Sequence, residues 1–348
     1  MRPLASLLCL LAIVRGASAQ ESDHATLRGA VVSETGDRIP YAVLVLIPGF
    51  SQRFADENGF FALARVPVGR YELRVRQVGF SPFDSTIDVT AATPQLRIEL
   101  KRIAVRLADI TVGAPRQCRT PVPPDSGTAL GVVFDQLRQN AERSRLMAQR
   151  YPFRAQMLRT FTSLRREFPD LVRQDSIWLP SWTIWNYSPG HMVEPDTEGF
   201  QPGTKLVHVM TIENLADSAF WGTHCFSTFG NDTAEGRAWL RVDFRVAASI
   251  HTPDIDGSAY LDPDSYKLGV FRFTLTHVER AVVGVDRWTA TTTFKEIRPS
   301  VPVPDQVRSE QLNARSMGVG VVTAILEVQR LIDVSFVRPP GNNRDSMP

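Results

Sequence analysis

Between Leu27 and Val89 the chain is written as five short segments, LRGAVV, AVLVLI, GFFALA, YELRVR and FDSTIDV. Each is cut from the next by a turn-rich connection, ETGDRIP, ADEN, VPVGR or VGFSP. A helix needs a longer uninterrupted run, so this spacing restricts the region to short strands and predicts a small β-sandwich. Within YELRVR, Tyr71, Leu73 and Val75 alternate with Glu72, Arg74 and Arg76, the period of a strand buried on one face and wet on the other. The acidic cluster Asp56-Glu57-Asn58-Gly59 reads as a turn, Asn58 or Gly59 taking positive φ and Phe60, Phe61 and Leu63 opening the next strand. Pro67 and Gly69 are expected to fold the chain back again before Tyr71. A ligand site at Asp56 and Glu57 is the competing reading.

The order Gly29-x-Val31, Ile39-Pro40-Tyr41-Ala42-Val43, Asp56-Glu57-Asn58-Gly59-x-Phe61, Val66-Pro67-x-Gly69-x-Tyr71 and Gly79-Phe80 resembles the carboxypeptidase regulatory-like domain family. The resemblance covers residues 27–100. It implies a seven-stranded transthyretin/prealbumin-like β-sandwich acting as a non-catalytic accessory module, of a carbohydrate-binding-like fold found in exported bacterial proteins. In relatives the module often precedes an outer-membrane receptor, and LADITVGAP at 107–115 resembles the connector found there. Such a barrel needs far more strands than this chain can supply after residue 128. A smaller lipid-facing barrel requires apolar residues at every second position, and RVDFRVA does not provide them.

Residues 101–128 carry a last apolar strand and then GAPRQCRTPVPPDSGT, whose prolines favour extended backbone, and they mark the boundary between domains. Beyond it Leu130, Val133, Phe134, Leu137 and Ala141 recur at helical spacing, with Arg138, Gln139, Glu142, Arg143 and Arg145 on the other side. Residues 129–149 are therefore expected to form an amphipathic helix that covers a sheet. The remainder returns to strands, among them FRAQMLRTFTSLRR, LVRQDSIWLP, KLVHVMTI, RAWLRVDFRVA, YKLGVFRFTLTHV and DRWTATTTFKEI. Several are long and joined by hairpin turns such as Asp262-Pro263-Asp264-Ser265, which predicts a broad, curved antiparallel sheet. The expected fold class is thus mainly β, a β-sandwich followed by a larger antiparallel sheet domain, residues 129–338, with one covering α-helix. Phe220-Trp221-x-x-His224-Cys225-Phe226 and Asp256-Gly257-x-x-Tyr260-Leu261-Asp262 resemble an uncharacterised β-rich domain that follows such modules in exported proteins. The strand and turn pattern also resembles lipoprotein-carrier sheets, which implies shelter for an apolar ligand. The tail 339–348 is expected to be disordered.

Residues 1–19 combine Arg2, an apolar run from Leu4 to Val14 and Ala17-Ser18-Ala19, the pattern of a cleaved signal peptide. A lipoprotein reading at Cys9 is opposed by Leu7 and Leu8, where small residues are required. The expected location is periplasmic or secreted, with no transmembrane segment after cleavage. Cleavage removes Arg2 and Arg15 and no acid, so the 39 basic residues fall to 37, equal to the 37 acidic ones. That neutrality argues against nucleic acid as a partner. Cys118 and Cys225 remain after cleavage, and an oxidising compartment leaves two readings open, one disulfide or two free thiols.

His191-Met192-Val193-Glu194 has the His-x-x-Glu form of a zinc carboxypeptidase site, which with His251 or His277 would make the protein a metallocarboxypeptidase-related enzyme. The segment SPGHMVEPDTEG is instead rich in proline and glycine, and the alternating strand and helix pattern of that enzyme fold is missing. Asp254, Asp256 and Asp232 near Glu235 raise calcium but lack the spacing of a calcium loop and suit turns. Trp178, Trp182, Trp185 and Tyr187 form the densest aromatic cluster, a candidate glycan or protein contact if exposed and core volume if buried. His224 and Cys225 are adjacent on an expected strand and so point to opposite faces, which argues against a catalytic pair. No cofactor is expected. The leading expectation is a non-catalytic exported protein that binds a protein or glycan ligand or serves envelope assembly; the alternatives are the metallopeptidase and a carrier of an apolar ligand.

Overall fold

The structure is a computed structural model describing residues 24–49, 52–103, 117–164, 169–183, 185–195, 205–234, 236–313 and 324–337. The expected signal peptide, the expected disordered tail and residues 104–116 of the connection lie outside the described residues. No helix among the described residues is long and apolar enough to cross a membrane.

The chain is mainly β. Its first part holds β1 (His24–Ser33), β2 (Val43–Ile47), β3 (Arg53–Phe54), β4 (Phe60–Pro67), β5 (Gly69–Arg76), β6 (Phe83–Val89) and β7 (Leu96–Leu100). They form two sheets, of order β4-β1-β7 and β3-β2-β5-β6, closed over Leu27, Val31, Leu44, Phe61, Leu73 and Val75. The Asp56 side chain organises the turn before β4, its Oδ1 accepting from the backbone N–H of Asn58 at 2.9 Å and of Phe60 at 2.8 Å. Gly59 takes φ +74 there, and a Cβ would stand 3.0 Å from the Val31 carbonyl. The Pro67-Gly69 passage differs from the expected fold-back. β4 and β5 belong to different sheets, so the chain crosses the sandwich at this point, and the Tyr71 hydroxyl fixes the crossing by donating to the Pro67 carbonyl at 3.0 Å.

The second part begins with α1 (Ala129–Arg150), capped by Thr128, whose hydroxyl accepts from the Gly131 N–H at 3.0 Å. It continues through β8 (Phe153–Leu164), β9 (Pro169–Pro180), β10 (Val193–Pro195), β11 (Lys205–Val207), α2 (Ser218–Thr223), β12 (His224–Ala234) and β13 (Arg237–Val246). β14 (Asp254–Leu261), β15 (Leu268–Thr276), β16 (Val285–Arg298), β17 (Val301–Asn313) and β18 (Ala324–Phe336) complete it. Nine strands make one antiparallel sheet of order β12-β13-β14-β15-β16-β17-β18-β8-β9. Val133, Leu137 and Ala141 of α1 share a core with Phe244, Phe271, Phe273 and Trp288 of the sheet, as the helical spacing requires.

Two segments depart from the expected strands. KLVHVMTI is extended only at Lys205–Val207; the chain then turns through a 3-10 segment, Ile212–Ala216, with the Thr211 N–H and hydroxyl both donating to Asn214 Oδ1. This turn places Met210, Ile212 and Leu215 in the core together, which alternation along a strand would not. In FWGTHCFSTF, Asp217 caps α2 by accepting from the Ala219 N–H at 2.9 Å, and the strand starts only at His224.

The two parts are joined through α1. Tyr41 and Phe54 of the sandwich pack on Met147, Phe153 and Val301. Gln136 accepts from the Gly79 N–H at 2.7 Å, and Arg143 Nη1 donates to Gln77 Oε1 at 2.6 Å. Gln136, Gln139 and Arg143 are consequently buried, whereas Arg138 and Arg145 stay exposed. Part of the side of the helix expected to face water, at Gln139 and Arg143, is thus buried, while Arg138 and Arg145 keep the expected exposure.

Candidate functional site

Alternation on β12 sends His224 inward, fully buried, and Cys225 outward, where its sulfur bonds that of Cys118 with Cα atoms 5.5 Å apart. The His224 ring lies against Phe220 and Phe244. Its Nδ1 faces the Phe220 carbonyl at 2.8 Å and its Nε2 the Ile255 carbonyl at 3.0 Å, with Asp254 Oδ1 3.6 Å away. Burial pushes the ring toward its neutral form, opposed by Asp254 and the two carbonyls. Asp254 accepts from Tyr187 Oη, the Gly190 N–H and the Ile255 N–H, so its buried carboxylate is well supplied with donors. Burial and Asp254 together push the Tyr187 phenol far above its ordinary range and keep it a donor. Chemically the group is a fastening. It pins the 187–190 segment to β14 and is closed off from solvent, His224, Asp254 and Tyr187 all being buried.

The aromatic cluster does not form one platform. Tyr187 is buried, and Trp185 stacks on the His208 ring with centroids 4.3 Å apart. Trp178 and Trp182 are instead about half exposed, at 48 % and 51 %, and Arg154 lies over the Trp182 ring at 5.5 Å. Pro180 ends β9 between them and turns the chain from the sheet edge into the core.

His191 is exposed, and Glu194 Oε2 meets His208 Nε2 at 3.1 Å. His251 and His277 lie together, with ring centroids 6.3 Å apart. Among the described residues no three His, Cys, Asp or Glu side chains converge as metal ligands. For the calcium reading, Asp232 is paired with Arg241 at 3.1 Å and Asp256 accepts from the Val246 N–H at 2.9 Å, while Glu235 lies outside the described residues. Asp56 and Glu57 line a groove of ≈ 790 Å³ between the sandwich and the end of α1, with Asp56 Oδ1 committed to its own turn.

The concavity with binding character lies elsewhere. An apolar cleft of ≈ 160 Å³ opens where α1 meets the ends of β8, β9 and β17. Ala148, Phe153, Ala155, Leu179, Ile212 and Val301 supply its apolar wall, and Ser144, Ser181, Thr183 and Glu213 stand among its polar lining. No sequence motif marks these residues, because helix, turn and three strands meet there only in the folded chain.

Residues 26–101 match the carboxypeptidase regulatory-like domain, the stretch whose motifs carry the resemblance. No curated protein matches the chain. Among solved structures, the chain is similar to an outer membrane lipoprotein-sorting protein domain from Vibrio parahaemolyticus, at 9% identity over 60% of this chain and 96% of that one, TM-score 0.30. A LolA superfamily protein from Nitrosomonas europaea matches at 11% identity over 59% and 94%, TM-score 0.27. A DUF1329 family protein from Desulfovibrio piger matches at 7% identity over 60% and 95%, TM-score 0.29.

Proposed function

We propose that the protein is an exported, non-catalytic binding protein of the cell envelope, whose sheet domain holds an apolar ligand in the cleft between α1 and the sheet. The β-sandwich serves as an accessory module fastened to the back of α1. The single observation that carries this reading is the cleft itself: its apolar lining opens to solvent, and about 150 Å³ of apolar space is enough to hold a benzene-sized group. The His224, Asp254 and Tyr187 group, the strongest chemical grouping elsewhere, is buried and spent on structure. Glycan contact at Trp178 and Trp182 is a less supported use of the same domain, since the rings stand at a sheet edge without a shared pocket.

The test is binding of the neutral fluorophore N-phenyl-1-naphthylamine to the purified chain. Saturable enhancement is expected, weakened at least tenfold by Leu179→Asp, which sets a charge on the rim of the cleft at a position already 38% exposed. Absence of saturable binding, or unchanged binding in the variant, would overturn the proposal.

A further inference from the structure

The apolar cleft shares a wall with a second cavity. Ser144, Phe294 and Pro302 line both, the second being a cavity of ≈ 250 Å³ on the side toward the β14–β15 turn. The lining changes character across that wall. Arg143, Arg237, Lys267 and Lys295 line the second cavity against only two acids, Asp262 and Glu296.

Three of these cations have carboxylate partners. Arg237 pairs with Asp262 at 3.1 Å, Lys267 with Glu296 at 2.9 Å and Lys295 with Asp305 at 2.6 Å. Arg143 does not share the pattern. It is 7% exposed, its Nη1 donates to Gln77, its Nη2 to the Ser300 hydroxyl, and its Nε has no partner among the described residues. Glu296 attracts it from a distance but is engaged by Lys267. Burial lowers its pKa to about 10, so it remains a cation at neutral pH. A guanidinium taken out of water without a carboxylate or phosphate partner is expensive, and its fork is built to receive such an anion. Ser300, which lines the same cavity, takes φ +70, a conformation that a non-glycine residue adopts at a cost and that is often found at binding sites.

We propose that cleft and cavity form one site for an amphiphile, with the apolar part against Phe153 and Leu179 and an anionic head, carboxylate or phosphate, between Arg143 and Lys267. The inference rests on the apolar cleft being a binding site and adds the charge of the ligand. Together the two spaces reach the range of small-molecule sites, roughly 300–1,000 Å³. The lining holds four cations against two acids, so a head that shares Lys267 with Glu296 still meets an excess of positive charge, Arg143 being the cation without a carboxylate partner.

Calorimetric titration of the full chain with n-hexyl phosphate, n-hexanol and inorganic phosphate tests this at low salt. Hexyl phosphate is expected to bind at least tenfold more tightly than either of the others. Lys267→Ala and Arg143→Met should each reduce that preference several-fold while leaving hexanol binding unchanged. Lys267 has a half-exposed side chain, so its variant keeps the test decisive even where loss of Arg143 prevents folding. Equal affinity for hexyl phosphate and hexanol would overturn the anionic head and leave the apolar cleft standing. Inorganic phosphate binding as tightly as hexyl phosphate would reduce the site to a free-anion site and overturn the amphiphile. Failure of both hexyl compounds to bind would remove the cleft reading and this one together.

Discussion

The Tyr187 hydroxyl donates to the Asp254 carboxylate across 2.7 Å, with both side chains shielded from solvent. Removing the hydroxyl leaves a buried carboxylate one donor short, beside a buried imidazole. Tyr187→Phe is expected to cost about 1–3 kcal/mol, the usual penalty for a buried polar group losing its partner. Urea denaturation followed by tryptophan fluorescence measures it. A midpoint equal to that of the unaltered chain would show that the group does not fasten the 187–190 segment.

The Cys118–Cys225 bridge spans 107 residues and holds the segment before α1 against the edge strand β12. The Ala248 N–H adds a bond to the Cys118 carbonyl at 2.7 Å on the same side. Closing so long a loop restricts the unfolded chain, and the chain-entropy model gives about 4–5 kcal/mol for it. Cys118→Ser with Cys225→Ser should lower the stability measured in guanidinium by about that amount, and reductant should act on the unaltered chain alone.

The contrast between these two fastenings shows what the residue order can and cannot reveal. Alternation along β12 separates His224 from Cys225 using nothing beyond neighbouring residues, and it agrees with their opposite placement. The strands of the sandwich and the span of α1 are legible for the same reason, because period and turn chemistry are local. Arg143 was legible as part of a polar face but not as a buried group, since what covers that face comes from Gln77 and Ser300, 66 and 157 residues away. Trp178 and Tyr187 sit nine positions apart in sequence yet lie on opposite sides of the point where the chain leaves the sheet, so their density along the chain did not predict a common surface. The apolar cleft has no local signature at all. Phe153, Ile212 and Val301 become neighbours only after the sheet has closed around α1.

Close backbone approach within the large sheet gives a third expectation. A Cβ on Gly257 would stand 2.3 Å from the Arg272 carbonyl and 2.5 Å from the Phe244 ring. Neither neighbour can move freely, the first being strand backbone and the second a fully buried ring. Gly257→Ala should therefore cost about 3 kcal/mol, the upper end for overpacking a core. Thermal unfolding by circular dichroism reads the loss, and a change under about 0.5 kcal/mol, the scale of a neutral surface substitution, would contradict the packing described.

Docking of the sandwich on α1 rests on a few buried polar contacts and can be tested by probes that report the two parts separately. All six tryptophans, from Trp178 to Trp288, lie in the sheet domain, so their fluorescence follows that domain alone, whereas far-ultraviolet circular dichroism follows both. In the unaltered chain the two signals should change together. Gln136→Leu leaves the Gly79 N–H without the acceptor it now meets at 2.7 Å, at a cost of about 1–3 kcal/mol. Gly79→Ala acts on the same contact from the other side: Gly79 takes φ +85, and a Cβ would come within 2.9 Å of the Ser265 carbonyl in the β14–β15 turn. Each substitution penalises the docked arrangement more than either core. The expected outcome is a split in which circular dichroism changes at lower urea than fluorescence, because the sandwich core of Leu27, Leu44 and Leu73 no longer draws stability from α1. Coincident transitions in both variants would mean that the apolar contacts of Tyr41 and Phe54 suffice to couple the two parts.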